Sequence, residues 1–144
     1  MKVFLVFFGL LIVNVSFMVY MGDMSVYVHD QKTLKAVCEE CAAGAALILD
    51  EDEYAEGRLV FDEDACYGYA EDHIAYALKS TGMAGDDFEC SLTFEDDERG
   101  YSEGNTERYP SVVCRVSVDT GEIFHTPGLS LTRLERTAKY EVVF

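Results

Sequence analysis

The sequence predicts an α+β protein: a long N-terminal transmembrane helix continuing into an amphipathic helix, then a second helix, then a small antiparallel β-sheet. Three observations predict it. Residues 3–21 read VFLVFFGLLIVNVSFMVYM and are apolar apart from Asn14 and Ser16. Two later stretches carry apolar residues at helical spacing, and two further on, 88–95 and 111–118, alternate apolar with polar. The period therefore changes from 3.6 to 2 once along the chain, helices first and strands after, which is the order of an α+β domain.

The apolar run comes first. Nineteen residues at about 1.5 Å each span roughly 28 Å, the hydrocarbon thickness of a bilayer. The run is long, and Tyr20-Met21-Gly22-Asp23 after it has no Ala-x-Ala pattern. That predicts a retained anchor over 1–22 rather than a cleaved signal, with a domain over 23–144. Lys2 precedes the run and the next basic residue is Lys32. The positive-inside rule then places the N-terminus in the cytoplasm and the domain outside, at the cell surface or in the envelope. Tyr20 and Tyr27 flank the bilayer edge, where aromatic rings settle.

From Gln31 the pattern is helical. Leu34, Cys38, Cys41, Ala45 and Ile48 form one stripe, with Lys35 and Glu39 an i,i+4 pair off it. The stripe is small-residued around Ala42–Ala46, so another backbone can approach closely. This helix is expected to run to about Tyr54, with Gly57 as the break, although Asp50–Glu53 then oppose the macrodipole. Residues 58–61 suggest a short extended piece. Asp62 is an N-cap for a second helix that runs to about Ser80 and closes at Thr81-Gly82. Cys66, Tyr69, Ala70, His73, Ile74, Ala77 and Leu78 are its expected buried face.

In the first strand, Phe88, Cys90, Leu92 and Phe94 share a face. Residues 96–110 are polar and contain glycine, a loop long enough to be mobile. In the second strand, Val112, Cys114, Val116 and Val118 share a face. Asp119-Thr120-Gly121-Glu122 is a hairpin signal, with a return strand starting at Glu122-Ile123-Phe124 and interrupted by His125-Thr126-Pro127-Gly128. Residues 129–143 predict a last strand or pair of strands, with a bulge near Arg133-Leu134.

The formal net charge is −16, with 27 acidic against 11 basic residues. All the acids follow the apolar run, so the domain would be repelled by phosphate backbones. Nucleic acid binding is excluded on that ground. Five cysteines, Cys38, Cys41, Cys66, Cys90 and Cys114, leave at least one unpaired. Outside the cytoplasm disulfides are permitted. Like faces of neighbouring strands favour Cys90 with Cys114, and Cys66 would tie the second helix to Cys38 or Cys41. The Cys38-x-x-Cys41 pair sits mid-helix without a preceding strand, which is not a thioredoxin-like setting. A zinc site would need Cys66, Cys90 or His73 added, and a second tight pair is missing. The histidines His29, His73 and His125 fall in no catalytic motif, and the acidic clusters fit no EF-hand loop. No catalytic set, metal or cofactor is expected.

Asp23, Gln31, Leu34, Glu39-Glu40 and Ala42–Leu47, with the terminal Pro127–Glu141 stretch, resemble the TadE/TadG-like minor pilins and pseudopilins of tight-adherence pilus systems, within the type IV pilin-like proteins. The resemblance covers the first fifty residues best and the last twenty more loosely. It implies a pilin-like fold and a non-enzymatic, membrane-anchored structural or assembly component of a pilus or secretion system. Its implied partners are other pilin-like subunits or pilus assembly proteins, with the membrane met through residues 3–21. The seam of Leu34, Cys38, Cys41, Ala42, Ala45 and Ile48 would pack on neighbouring subunits or on the domain's own sheet. Two other readings use the same residues: a membrane-tethered acidic domain holding a basic protein or a cation, and a membrane-tethered thiol oxidoreductase using Cys38 and Cys41.

Overall fold

Residues 1–83, 87–125 and 130–143 are described by a computed structural model of the chain. Its first element is one unbroken helix, α1, Lys2–Ala45. No proline interrupts it, and Gly22 is passed without a break, because a single glycine costs a helix only about 1 kcal/mol. The helix has two characters. Residues from Val3 to Val19 stand exposed, Phe4 at 66% and Met18 at 69%, whereas Leu34, Cys38, Cys41, Ala42 and Ala45 are fully buried. The apolar half is long and apolar enough to cross a membrane.

The sequence expectation carried this helix to Tyr54, and it ends nine residues earlier, at Ala45. The acids decide the matter. Asp50 caps a separate short helix, α2 (Glu51–Ala55), accepting from the amides of Asp52 and Glu53 at 3.0 Å each. Glu51, Asp52 and Glu53 thereby fill a first turn, where the helix dipole favours them, instead of a last turn, where it opposes them. Leu49 and Phe61 form an antiparallel bridge across this excursion, with the Asp50 amide donating to Val60 at 2.9 Å. Residues 58–61 are thus the extended piece expected there, and Gly57 turns the chain with φ 85°.

Helix α3, Glu63–Thr81, starts and stops where its caps place it. The Asp62 carboxylate accepts from the Ala65 amide, and Gly82 closes the end in the left-handed region. Cys66, Ala70, Ile74 and Leu78 are its buried face, while Tyr69, expected on that face, lies at its exposed edge.

Three strands, β1 (Phe88–Glu95), β2 (Ser111–Asp119) and β3 (Arg133–Glu141), form an antiparallel sheet in the order β1-β2-β3. The second half of α1 packs on β2 and β3, and α3 packs on α1 and β1. The core lies between this helical layer and one sheet face: Leu92, Phe94, Val112, Cys114, Val116, Val118, Leu134 and Ala138. The opposite face is polar and crossed by ion pairs such as Arg115–Glu135 at 3.2 Å.

Two expectations about the C-terminal part are corrected. The 119–122 turn does not start a return strand at Glu122; β3 begins at Arg133, opposite Asp119. Residues 120–125 instead cross to α1. The β3 register is also continuous from Arg133 to Glu141, so no bulge lies at Arg133-Leu134. The interruption expected over Thr126-Pro127-Gly128 lies outside the described residues.

Candidate functional site

The candidate site is the side of the domain next to the apolar run: the stretch of α1 where exposure gives way to burial, and the thiols beneath it. Phe124, brought over by the β2–β3 connection, packs against Tyr20 at 6.3 Å and Tyr27 at 5.8 Å between ring centroids. Beside it Asp23 accepts from the His125 amide at 2.9 Å and meets the His125 ring Nδ1 at 3.1 Å. The His125 amide in the first place, with the ring and its charge, holds the Asp23 carboxyl below its usual range, while partial burial opposes this. These contacts fasten the domain to the first turns beyond the apolar run. Sequence reasoning named Tyr20 and Tyr27 only as bilayer-edge residues and missed their common partner, which is about a hundred residues away in the chain.

The seam residues come together on the inside of the domain. Leu34, Cys38, Cys41, Ala42 and Ala45 are fully buried against the sheet and α3, and Ile48 is half-buried beside them. That face of α1 is thus covered by its own chain, and neighbours have only the opposite face and the apolar half to meet.

Four of the five cysteines converge under this seam. Cys38 and Cys41 project from α1, Cys90 from β1 and Cys114 from β2. Cys114 lies among the other three, each of which bears on its titration, and Cys41 and Cys90 bear on each other. Cys38 adds a bond from its Sγ to the Arg136 carbonyl at 3.4 Å. The proton distribution follows these contacts. The neighbouring Cys114 thiol, then that of Cys41, lowers the Cys90 thiol to about 4 against burial. Cys114 likewise lowers Cys38. Cys41 rises to about 12: neighbouring Cys114 works the other way, but the influence of Cys90, burial and neighbouring charge prevail. Cys114 itself is raised, chiefly by the neighbouring Cys38, Cys41 and Cys90 thiols.

Cys66 is differently placed. Its thiol donates to the carbonyls of Ala45 (3.3 Å) and Ile48 (3.7 Å), groups left over at the end of α1, and burial pushes it up to about 11. All five cysteines are free thiols, so neither expected disulfide is formed. For Cys90 and Cys114 the register gives the reason. Cys90 lies opposite Val116 and Cys114 opposite Leu92, so the two are diagonal and not facing. For Cys66 the reason is its turn toward the helix end.

The other candidates stay apart. His29 is exposed, and His73 stacks on Tyr69 with its Nε2 3.4 Å from Glu40 but no aligned hydrogen bond. Among the described residues, no three His, Cys, Asp or Glu side chains are grouped to hold a metal ion. The acids that sequence reasoning passed over as solvated surface include one buried carboxylate, Asp96, fully inaccessible. It accepts from the amides of Phe61, Glu98 and Arg99 and from the Arg99 guanidinium, which also reaches Glu63. This joins the 58–61 segment, the loop after β1 and the start of α3, so its role is structural.

Comparison with known protein families, curated proteins and solved structures finds no match to this chain.

Proposed function

We propose that the chain is a membrane-anchored, pilin-like structural or assembly component of a tight-adherence or type IV-like pilus or secretion apparatus, with no catalytic role of its own. The observation that carries this reading is α1. A single helix of 44 residues presents an exposed apolar half and buries its other half as the spine of an α+β domain. Such a helix couples a membrane or filament core rigidly to a domain, since a continuous hydrogen-bonded helix leaves no hinge between them. The TadE/TadG-like resemblance of residues 23–47 supports the same reading. In it the domain faces outward, and its partners are other pilin-like subunits or assembly proteins.

Shearing cells and probing the filament and membrane fractions tests it. Recovery in sheared filaments is the expected result for a subunit. Exclusive retention in membranes would reject the subunit role and leave an assembly-platform or tethered role.

A second reading rests on the net charge of −16 carried outside the apolar run. A tethered acidic domain holding a basic protein would bind it with a steep salt dependence, because exposed charge pairs are screened within about 8–10 Å at physiological ionic strength. The thiol oxidoreductase reading is weaker. Cys38, Cys41 and Cys114 are fully buried, so a protein substrate has no route to them.

A further inference from the structure

The apolar half of α1 carries a side-chain amide close to its middle. Asn14 is two residues from the centre of the run 3–21, roughly 3 Å along a helix that rises about 1.5 Å per residue. It is exposed, as is every residue from Met1 to Val19. In hydrocarbon an amide has no water to bond, so it needs a partner. Leu11, Asn14, Met18, Met21, Ser25 and Val28 follow one another at alternating spacings of three and four, the a/d pattern of a left-handed helix pair. All six are exposed. The domain sits on the other side of the helix. Asp23 is nine residues from Asn14, about two and a half turns, so it points away from this stripe. Asp23, Tyr20 and Tyr27 are the residues that hold His125 and Phe124. The other polar residue of the run, Ser16, stands seven residues before Asp23 and so on the domain's side, where a neighbouring helix would run into Phe124 and His125.

We propose that this stripe is the contact between two copies of the chain, packed in parallel within the bilayer and joined by a hydrogen bond between their Asn14 side chains. The pairing rests on the membrane-anchored placement proposed above. A second copy is the occupant that the chemistry fits. Copies inserted the same way carry Asn14 at the same depth. An amide both donates and accepts, so Asn14 complements itself. A single Asn in an a/d seam also fixes register and strand number, because any slip or extra helix leaves it unpaired. The flexible thioethers of Met18 and Met21 can fill the irregular gaps against a facing helix. Past Val28 the stripe reaches Lys32 and Lys35, both exposed, which in a parallel pair would face their own likes. With a net charge of −16 on each chain, the two domains repel as well. The contact is therefore confined to the apolar half and the first turns beyond it. Because α1 is continuous, pairing there sets the spacing and heading of two domains that do not touch.

The test uses the full-length chain, labelled at its N-terminal amine with a donor or an acceptor dye and reconstituted into phosphatidylcholine vesicles. Energy transfer is read as the chain is diluted with lipid, and flotation on a density gradient reports whether the chain is in the membrane. The expected result is transfer that rises in proportion to the acceptor fraction, as pairs require, and falls when unlabelled chain is added. Asn14→Leu should weaken association roughly 5- to 30-fold, the effect of one interhelical hydrogen bond in a model bilayer. Asn14→Gln keeps the amide and should retain most of the association. Ser16→Ala, on the domain's side, should leave it unchanged. Chains that float but show no transfer, or that associate as well with Leu at position 14, would overturn the Asn14 seam and leave the anchor standing. A loss of association in Ser16→Ala and not in Asn14→Leu would overturn it in favour of the opposite face. Transfer that curves with acceptor fraction would overturn the pair in favour of a larger cluster. Chains that do not float would reject the anchored placement and the pairing together.

Discussion

At Gly44 the phenol ring of Tyr69 occupies the space that a β-carbon would need, so α1 and α3 approach over a glycine and an aromatic edge. Replacing Gly44 by Ala sets two terms against each other. Helix propensity gains up to about 1 kcal/mol, and overpacking against a ring costs about 1–3 kcal/mol. The ring wins, so Gly44→Ala should lower stability by about 1–2 kcal/mol in urea unfolding. In a Tyr69→Ala background the obstacle is gone, and the same substitution should become neutral or stabilising by a few tenths to about 1 kcal/mol. A penalty of equal size in both backgrounds would show that Tyr69 is not the obstacle. A small-residue stripe was visible in the sequence, but its partner was not. The spacing of Ala42–Ala46 says that something comes close, and only the fold says that it is the ring of Tyr69. The thiols teach a similar lesson. Periodicity correctly put Cys90 and Cys114 on one face, while their offset by two residues depends on register, which alternation alone leaves open.

Among the elements, those defined by local chemistry were legible and those defined by distant contacts were not. The caps of α3, Asp62 and Gly82, and the alternation of β1 and β2 act within a few residues, and their bounds could be read directly. The end of α1 was misread because the apolar stripe continues to Ile48, although the acids at 50–53 had already pointed to a conflict with the dipole. The return strand was misread because Ile123 and Phe124 are β-formers whose apolar faces are wanted elsewhere, Phe124 on Tyr20 and Tyr27. The loop from Asp96 to Pro110 was expected to be mobile on composition. In the structure it is pinned at its root by Glu95, which accepts from Asn105 at 2.9 Å and from Ser111 at 3.1 Å. Ser102, Asn105 and Ser111 together hold the Glu95 carboxyl down to about 2, from an ordinary 4.5, against burial. A carboxyl lowered on folding stabilises the fold above its unfolded value and loses that contribution as pH falls through the folded one. Glu95→Gln should therefore be less stable than the parent at pH 7. The gap in melting temperature should narrow as pH falls from about 4.5 toward 2. A gap that is constant with pH would mean that the carboxylate charge does not hold the loop.

For the whole molecule the controlling fact is the division of one helix between two environments. Its first half has apolar side chains exposed all round, which water tolerates only as small patches, and its second half is the core of an acidic domain. Composition showed both halves separately: the apolar run by its length, the domain by its charge and stripe. Their continuity through Gly22 and Asp23 is the part that the functional proposal needs, because a flexible joint there would turn a rigid subunit into a tethered globule. Amide hydrogen exchange along α1, measured on the full-length chain in lipid nanodiscs, tests this most directly. The account predicts slow exchange without interruption from the apolar run through residues 22–33 and on to Ala45. Fast exchange confined to residues 22–30, between two protected blocks, would contradict it and make the anchor and the domain separate bodies.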